Sequence, residues 1–228
     1  MKNLTKLLLL CFITSVTAGN NDIYLTQSGG GAFTLTIDQI GSTNKVGTSG
    51  ARVTMAGASL TGDFKQQGAT NTLAAAIAQA NSSSWTMYQI GDSNTSTLTA
   101  GGSGSVASSD FDYNATGNSN ILTWLQGSSS AATGGNFDAA ITGNTNDLNI
   151  RCETIGCVNN WDIDGNSNDI DVTQIGTDDK SITFTLVGDS NNIDIDQTTA
   201  ASGVTDTISI VAASTSGTIN LDQCSSGC

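Results

Sequence analysis

The sequence contains no histidine, so any chemistry rests on carboxylates, amides and five cysteines. Without an imidazole, an activated serine motif or a phosphate-cradling Gly-Lys loop, the usual pairing of nucleophile and base cannot be assembled. Asp pairs could serve glycoside hydrolysis at the correct separation or offer hard oxygen ligands to a divalent cation. The candidate rows are Asp162 with Asp164, Asp169 with Asp171, and Asp194 with Asp196. Their alternation predicts strand faces turned to solvent, where like charges a rung apart repel by about 1 kcal/mol in water. Such a face reads first as a solvated guard against unwanted association. The calcium-binding Gly-Gly-x-Gly-x-Asp nonapeptide is missing. No enzymatic activity, cofactor or resident metal is predicted.

Four cysteines form two local pairs, Cys152 with Cys157 and Cys224 with Cys228. In an oxidising compartment these are disulfide candidates. A zinc site would need a histidine or a third nearby thiolate.

The amides are the most ordered feature. Alignment on Gly-x-x-Asn finds seven copies of the central turn, at Gly41–Asn44, Gly68–Asn71, Gly91–Asn94, Gly117–Asn120, Gly143–Asn146, Gly165–Asn168 and Gly188–Asn191. Successive glycines are 27, 23, 26, 26, 22 and 23 residues apart, a period that belongs to stacked repeats. Around the turns stand Gln39, Gln66, Gln89, Gln126, Gln174 and Gln197. Inward amides repeated at one position can hydrogen-bond their own copies above and below, and inward aromatics can stack, as in cross-β cores.

The elements that would position these amides are strands. Ile182, Phe184 and Leu186 alternate with polar residues, Gly188-Asp-Ser-Asn191 turns the chain, and Ile193 and Ile195 alternate with Asp194 and Asp196. Period-two alternation marks half-buried strands, and the Gly and Asn of the turn suggest φ > 0 backbone. An aromatic residue opens six of the seven strands before the turn: Phe33, Phe64, Trp85, Phe111, Phe137 and Trp161. A one-residue slip would turn every inward side chain outward, so register is strongly specified. A half-period of Gly165, Gly176 and Gly188, with Thr177–Asp179 at the second turn, implies two opposed strands per rung. The Ser/Gly/Ala-rich stretches Gly47–Thr61, Ala100–Ser109 and Gly127–Gly135 read as surface loops. Leu73–Ala80 fits either a helical turn or a weak strand.

At this level of detail Gln39-Ile40-Gly41-Ser-Thr-Asn44 and Gln89-Ile90-Gly91-Asp-Ser-Asn94 resemble the Gln-x-Gly-x-x-Asn half of the curlin repeat. Asn168-Asp-Ile-Asp-Val-Thr-Gln174 resembles its other half. The resemblance covers roughly residues 23–223. It implies subunits that self-associate into curli-type extracellular amyloid fibres, exported through outer-membrane secretion machinery at the surface of a Gram-negative-type bacterium. The motif glutamine is replaced by Ala115, Ile141, Ile163 and Leu186 in four units, and by Cys152 once after the turn, which implies a divergent member.

Met1–Ala18 reads as a secretory signal, with Lys2 and Lys6, the apolar run Leu7–Val16 and a small-residue cleavage site before Gly19. Ten apolar residues are too few to span a bilayer, which takes about 20, and no later stretch is apolar enough. Losing Lys2 and Lys6 takes the formal charge from −13 to −15. So acidic a chain is a poor partner for nucleic acid, which is bound through Lys and Arg.

The sequence thus predicts an all-β protein. Residues 19–228 should form a β-solenoid of about seven strand-turn-strand rungs, with two parallel sheets facing each other. The expected role is structural, as a fibre subunit in adhesion and biofilm matrix. The alternative is a monomeric solenoid binding ice, glycan or divalent cations through outward Thr and Asp, with Thr34/Thr36, Thr97/Thr99, Thr183/Thr185 and Thr205/Thr207 as the threonine pairs.

Overall fold

The computed structural model describes residues 11–13, 20–28, 31–41, 43–47, 53–68, 70–91, 93–100, 109–127, 135–153, 157–176, 180–199 and 205–225. They form strands and connections, with no helix among them. The strands are β1 (Cys11–Ile13), β2 (Asn20–Ile23), β3 (Thr26–Gln27), β4 (Ala32–Ile40), β5 (Thr43–Val46), β6 (Val53–Gln67), β7 (Thr70–Ile90) and β8 (Ser93–Ala100). They continue as β9 (Ser109–Thr116), β10 (Ser119–Gln126), β11 (Gly135–Thr142), β12 (Thr145–Glu153), β13 (Cys157–Asp164), β14 (Ser167–Gly176), β15 (Lys180–Thr199) and β16 (Thr207–Ser225).

All these strands pair in parallel with a strand one repeat away. The strands before the arches stack as β4, β6, β7, β9, β11, β13, β15 and β16. Those after the arches stack as β5 with the first part of β6, then β7, β8, β10, β12, β14, β15 and β16. This is the expected solenoid. It makes about six turns rather than seven, and six rises separate the seven motif asparagines.

The core lies between the two stacks. On β13 and β14 every second residue is buried, and Ile193 and Ile195 are sealed while Asp194 and Asp196 face out. Burying each such aliphatic contributes about 1.5–3 kcal/mol. The aromatic rings do not form one column, because the strand openings are offset in register: Phe64 shares a row with Met87 and Tyr113, while Trp85, Phe111 and Phe137 share another. They still make one continuous chain of contacts, from Phe64 against Trp85 at 5.4 Å, across the core from Phe111 to Trp124 at 4.3 Å, and up to Trp161 and Phe184 at 5.9 Å. Gly62 lies in the Trp85 row, where a Cβ would strike the indole ring.

Two expectations change and one open alternative is decided. Gly47–Thr61 is not a loop throughout, since Val53–Thr61 belongs to β6 and Val53 and Met55 are fully buried; its small residues hide a Val-x-Met alternation. Leu73–Ala80 is strand, part of β7. The arch glycines are there for close approach and not for φ > 0 backbone, because the glycines with positive φ among the described residues are Gly41, Gly47 and Gly127, and Gly41 at 159° is extended. A Cβ on Gly68 would fall inside the carbonyl oxygen of Gly41, and one on Gly188 inside that of Gly165. The second-turn residues Thr177–Asp179 and most of the stretches after Ala100 and Gly127 lie outside the described residues.

Candidate functional site

The seven motif asparagines are all buried and joined in one ladder. Each Nδ2 donates to the Oδ1 of the next: Asn44 to Asn71 at 3.1 Å, Asn71 to Asn94 at 2.6 Å, Asn94 to Asn120 at 2.7 Å, Asn120 to Asn146 at 2.9 Å, then Asn146 to Asn168 and Asn168 to Asn191 at 2.7 Å. Asn44, Asn71, Asn94, Asn120 and Asn146 also reach the carbonyl that precedes the next arch, as from Asn94 to Thr116 and from Asn120 to Thr142, whereas Asn168 and Asn191 donate to the glycine carbonyl of their own arch. The arch N–H groups of Gly68, Gly91, Gly117, Gly143 and Gly165 donate to neighbouring-rung carbonyls. The asparagine-to-asparagine bonds and these glycine N–H groups all donate toward the C-terminal end, while the arch N–H groups of Asn144, Ser167 and Ser190 donate the other way. At the opposite end the Oδ1 of Asn44 is buried without a hydrogen-bond partner.

The glutamines form two ladders on opposite sides of the core. Gln39, Gln66 and Gln89 stand before the arch, with Gln66 donating to Gln39 and Gln89 to Gln66 at 2.8 Å. Gln39 and Gln66 also reach across the arch to the carbonyls of Lys45 and Thr72. This ladder ends where the hydroxyls of Ser96 and Tyr113 donate to Gln89 Oε1 at 2.6 and 2.7 Å. Burial pushes the Tyr113 phenol well above its ordinary pKa, so it stays a donor. Beyond it the row continues as Ala115, Ile141, Ile163 and Leu186.

The second ladder lies after the arch. Gln197 donates to Gln174 at 2.8 Å and Gln223 to Gln197 at 2.9 Å. The row of Gln126, Cys152, Gln174, Gln197 and Gln223 is in register, but Cys152 interrupts it. Gln126 Oε1 lies 3.9 Å from a sulfur that carries no proton, since Cys152 is disulfide-bonded to Cys157 with Cα atoms 6.5 Å apart. The Nε2 of Gln174 is left buried and unpaired. Cys224 is also disulfide-bonded; Cys228 lies outside the described residues.

Three participants escape the repeat pattern. Gln223 extends the second ladder, but its rung carries Gly217 where the motif has asparagine. Lys180 is buried at the start of β15 and donates from Nζ to Thr199 Oγ1 at 3.0 Å, while its N–H donates to Asp206. Asn159 occupies the row of Phe137 and Ile182 with its Nδ2 unpaired.

The outward carboxylates stand as expected on the solvent faces. Asp171 pairs in register with Asp194, and Asp112 with Asp138. Partial desolvation first, then neighbouring acids, raises the pKa of both Asp112 and Asp171. No group of three or more metal-ligating residues is found among the described residues. The threonine pairs do not make a continuous face: Thr36 is followed by Asp63, and Thr185 is preceded by Asp162. No described helix is long and apolar enough to cross a membrane.

Among the described residues the C-terminal end is uncovered. No described strand pairs with the far side of β16. Ile219 and Leu221, which continue the inward rows of Ile193 and Ile195, are 46% and 52% exposed, against 0% for the two isoleucines beneath them. The described residues give β16 no cap.

No protein-family model, characterised protein or solved structure matches the chain.

Proposed function

We propose that the mature chain is a structural subunit of a secreted, curli-like amyloid fibre, contributing to cell adhesion and biofilm matrix. The observation that carries this reading is the asparagine ladder running unbroken through seven arches toward an end strand whose inward side chains are uncovered among the described residues. Stacked repeats are stabilised by neighbours, and a solenoid end without a polar cap accepts further strands. The departures from regularity, such as the side switch of the glutamine ladder and the Cys152 interruption, suit a divergent member that joins a fibre with related subunits. Export by outer-membrane machinery and a location outside the cell belong to the same reading. The interrupted threonine rows weigh against a flat ice- or glycan-binding face.

The test is assembly of the purified mature chain, followed by sedimentation, dye binding and electron microscopy. Unbranched β-rich fibres support the proposal. A chain that stays monomeric at neutral pH in salt opposes it.

A further inference from the structure

We propose that the seven residues Asn21–Gln27 form the junction strand by which one copy seats on the C-terminal rung of another. This rests on the fibre reading and adds the register of the contact. β2 and β3 cover only the post-arch side of the first rung. Following the pairings through the stack, Ile23 falls in the row of Val46, Leu122, Ile193 and Ile219. Thr26 pairs with Thr54, which sets Leu25 beside Val53 in the row that runs to Leu221. Gln27 pairs with Met55, in the row that ends at Gln223.

The two ends of the chain therefore carry the same spacing of residue types, Ile23-x-Leu25-x-Gln27 and Ile219-x-Leu221-x-Gln223. Ile23 and Leu25 are only partly buried, and Ile219 and Leu221 are about half exposed. Stacking a second copy on β16 continues the chain's own rung-to-rung interface, with Ile23 over Ile219, Leu25 over Leu221 and Gln27 over Gln223. Apolar rows that end half exposed would then be covered, and the parallel edge of β16 would gain its missing partner.

The other half of the junction is less complete. In the uncleaved chain β1 lies beside Leu35–Ile37, and it falls within the predicted leader. Without it, a slot one strand wide separates Leu35 and Ile37 of the added copy from Ile208 and Ile210 of the first. The junction is then the least covered layer of the fibre.

The register can be read by crosslinking across the outward positions. Tyr24, 56% exposed, would face Asn220 of the copy below, at the rung spacing of about 4.8 Å, inside the Cα range of about 4.4–6.8 Å that a disulfide spans. Tyr24→Cys and Asn220→Cys chains, with native disulfides intact, are assembled together and oxidised. A shift of the fibre protein to a nonreducing dimer band supports the junction. A Lys45→Cys with Thr218→Cys pair reports the competing arrangement, in which β2 and β3 are displaced and β5 sits directly on β16. Crosslinking of that pair alone, or of neither pair in well-formed fibres, overturns the junction and leaves the fibre reading standing. Absence of any fibre from the unsubstituted chain overturns both.

Discussion

Asn94 donates from Nδ2 to Oδ1 of Asn120, one rung along, at 2.7 Å, and the same amide reaches the carbonyl of Thr116 at 3.1 Å. One side chain thus ties its arch to the next through both side chain and backbone. A buried amide left without such partners costs about 1–3 kcal/mol, so the ladder holds each rung to its neighbours as well as closing its own turn.

The ladder's continuity makes its middle more costly to break than its end. Asn146→Ala removes bonds to both neighbours and strips Asn168 Oδ1 of its donor. We expect a loss of about 2–3 kcal/mol in denaturant unfolding. Asn44→Ala removes donations to Asn71 and Gln67 on one side only, because its Oδ1 is already unpaired, and should cost about half as much. Equal losses would show that the asparagines act as separate turn residues.

Asn159 points the other way. It sits among Phe137 and Ile182 with an unpaired amide, so Asn159→Leu should raise stability by about 1–2 kcal/mol. A fall in the unfolding midpoint would mean that the amide has a partner in solution.

The Cys152 interruption separates two contributions. A Cys152→Ser/Cys157→Ser chain loses the disulfide and about 2 kcal/mol. A Cys152→Gln/Cys157→Ser chain loses the same bridge but places an amide between Gln126 Oε1 and Gln174 Nε2, in the donor direction used by Gln197 and Gln223. It should be about 2 kcal/mol more stable than the serine variant, at about 1 kcal/mol per hydrogen bond. Calorimetry showing no difference would refute a continuous second ladder.

Acidity should favour the stack. Asp112 and Asp171 have pKa values raised above the unfolded 3.8 by desolvation and by adjacent acids. A carboxyl group whose folded pKa is raised binds its proton more tightly in the native state. Its contribution is therefore fully present below pH 3.8 and is lost as pH rises through the folded value. Stability should rise on going from pH 7 to about pH 4, and Asp171→Asn should reduce that rise. An unchanged pH slope in Asp171→Asn would assign the effect to other groups.

Much of this architecture is legible in the residues. The Gly-x-x-Asn spacing finds all seven ladder asparagines because stacking demands one residue type at one position in every rung. The glutamines are harder to place. Gln39 precedes its arch and Gln174 follows one, and the register shows that this order makes two separate ladders on opposite sides of the core. Gln223 is concealed by Gly217 at the asparagine position. Val53–Ser59 is concealed by small side chains, since alanine, glycine and serine give a weak inside-outside contrast. Lys180 reads as solvent-exposed from its charge, yet Thr199 and Asp206 provide polar partners that let it turn inward.

Fibre growth requires the stack to continue from one chain to the next. Fibre diffraction from the assembled mature chain tests it most directly. A sharp meridional reflection at about 4.7–4.8 Å is expected from strands perpendicular to the fibre axis, with an equatorial spacing near 10 Å. A chain that sediments as a monomer under the assembly conditions, or forms aggregates lacking the meridional reflection, would contradict it.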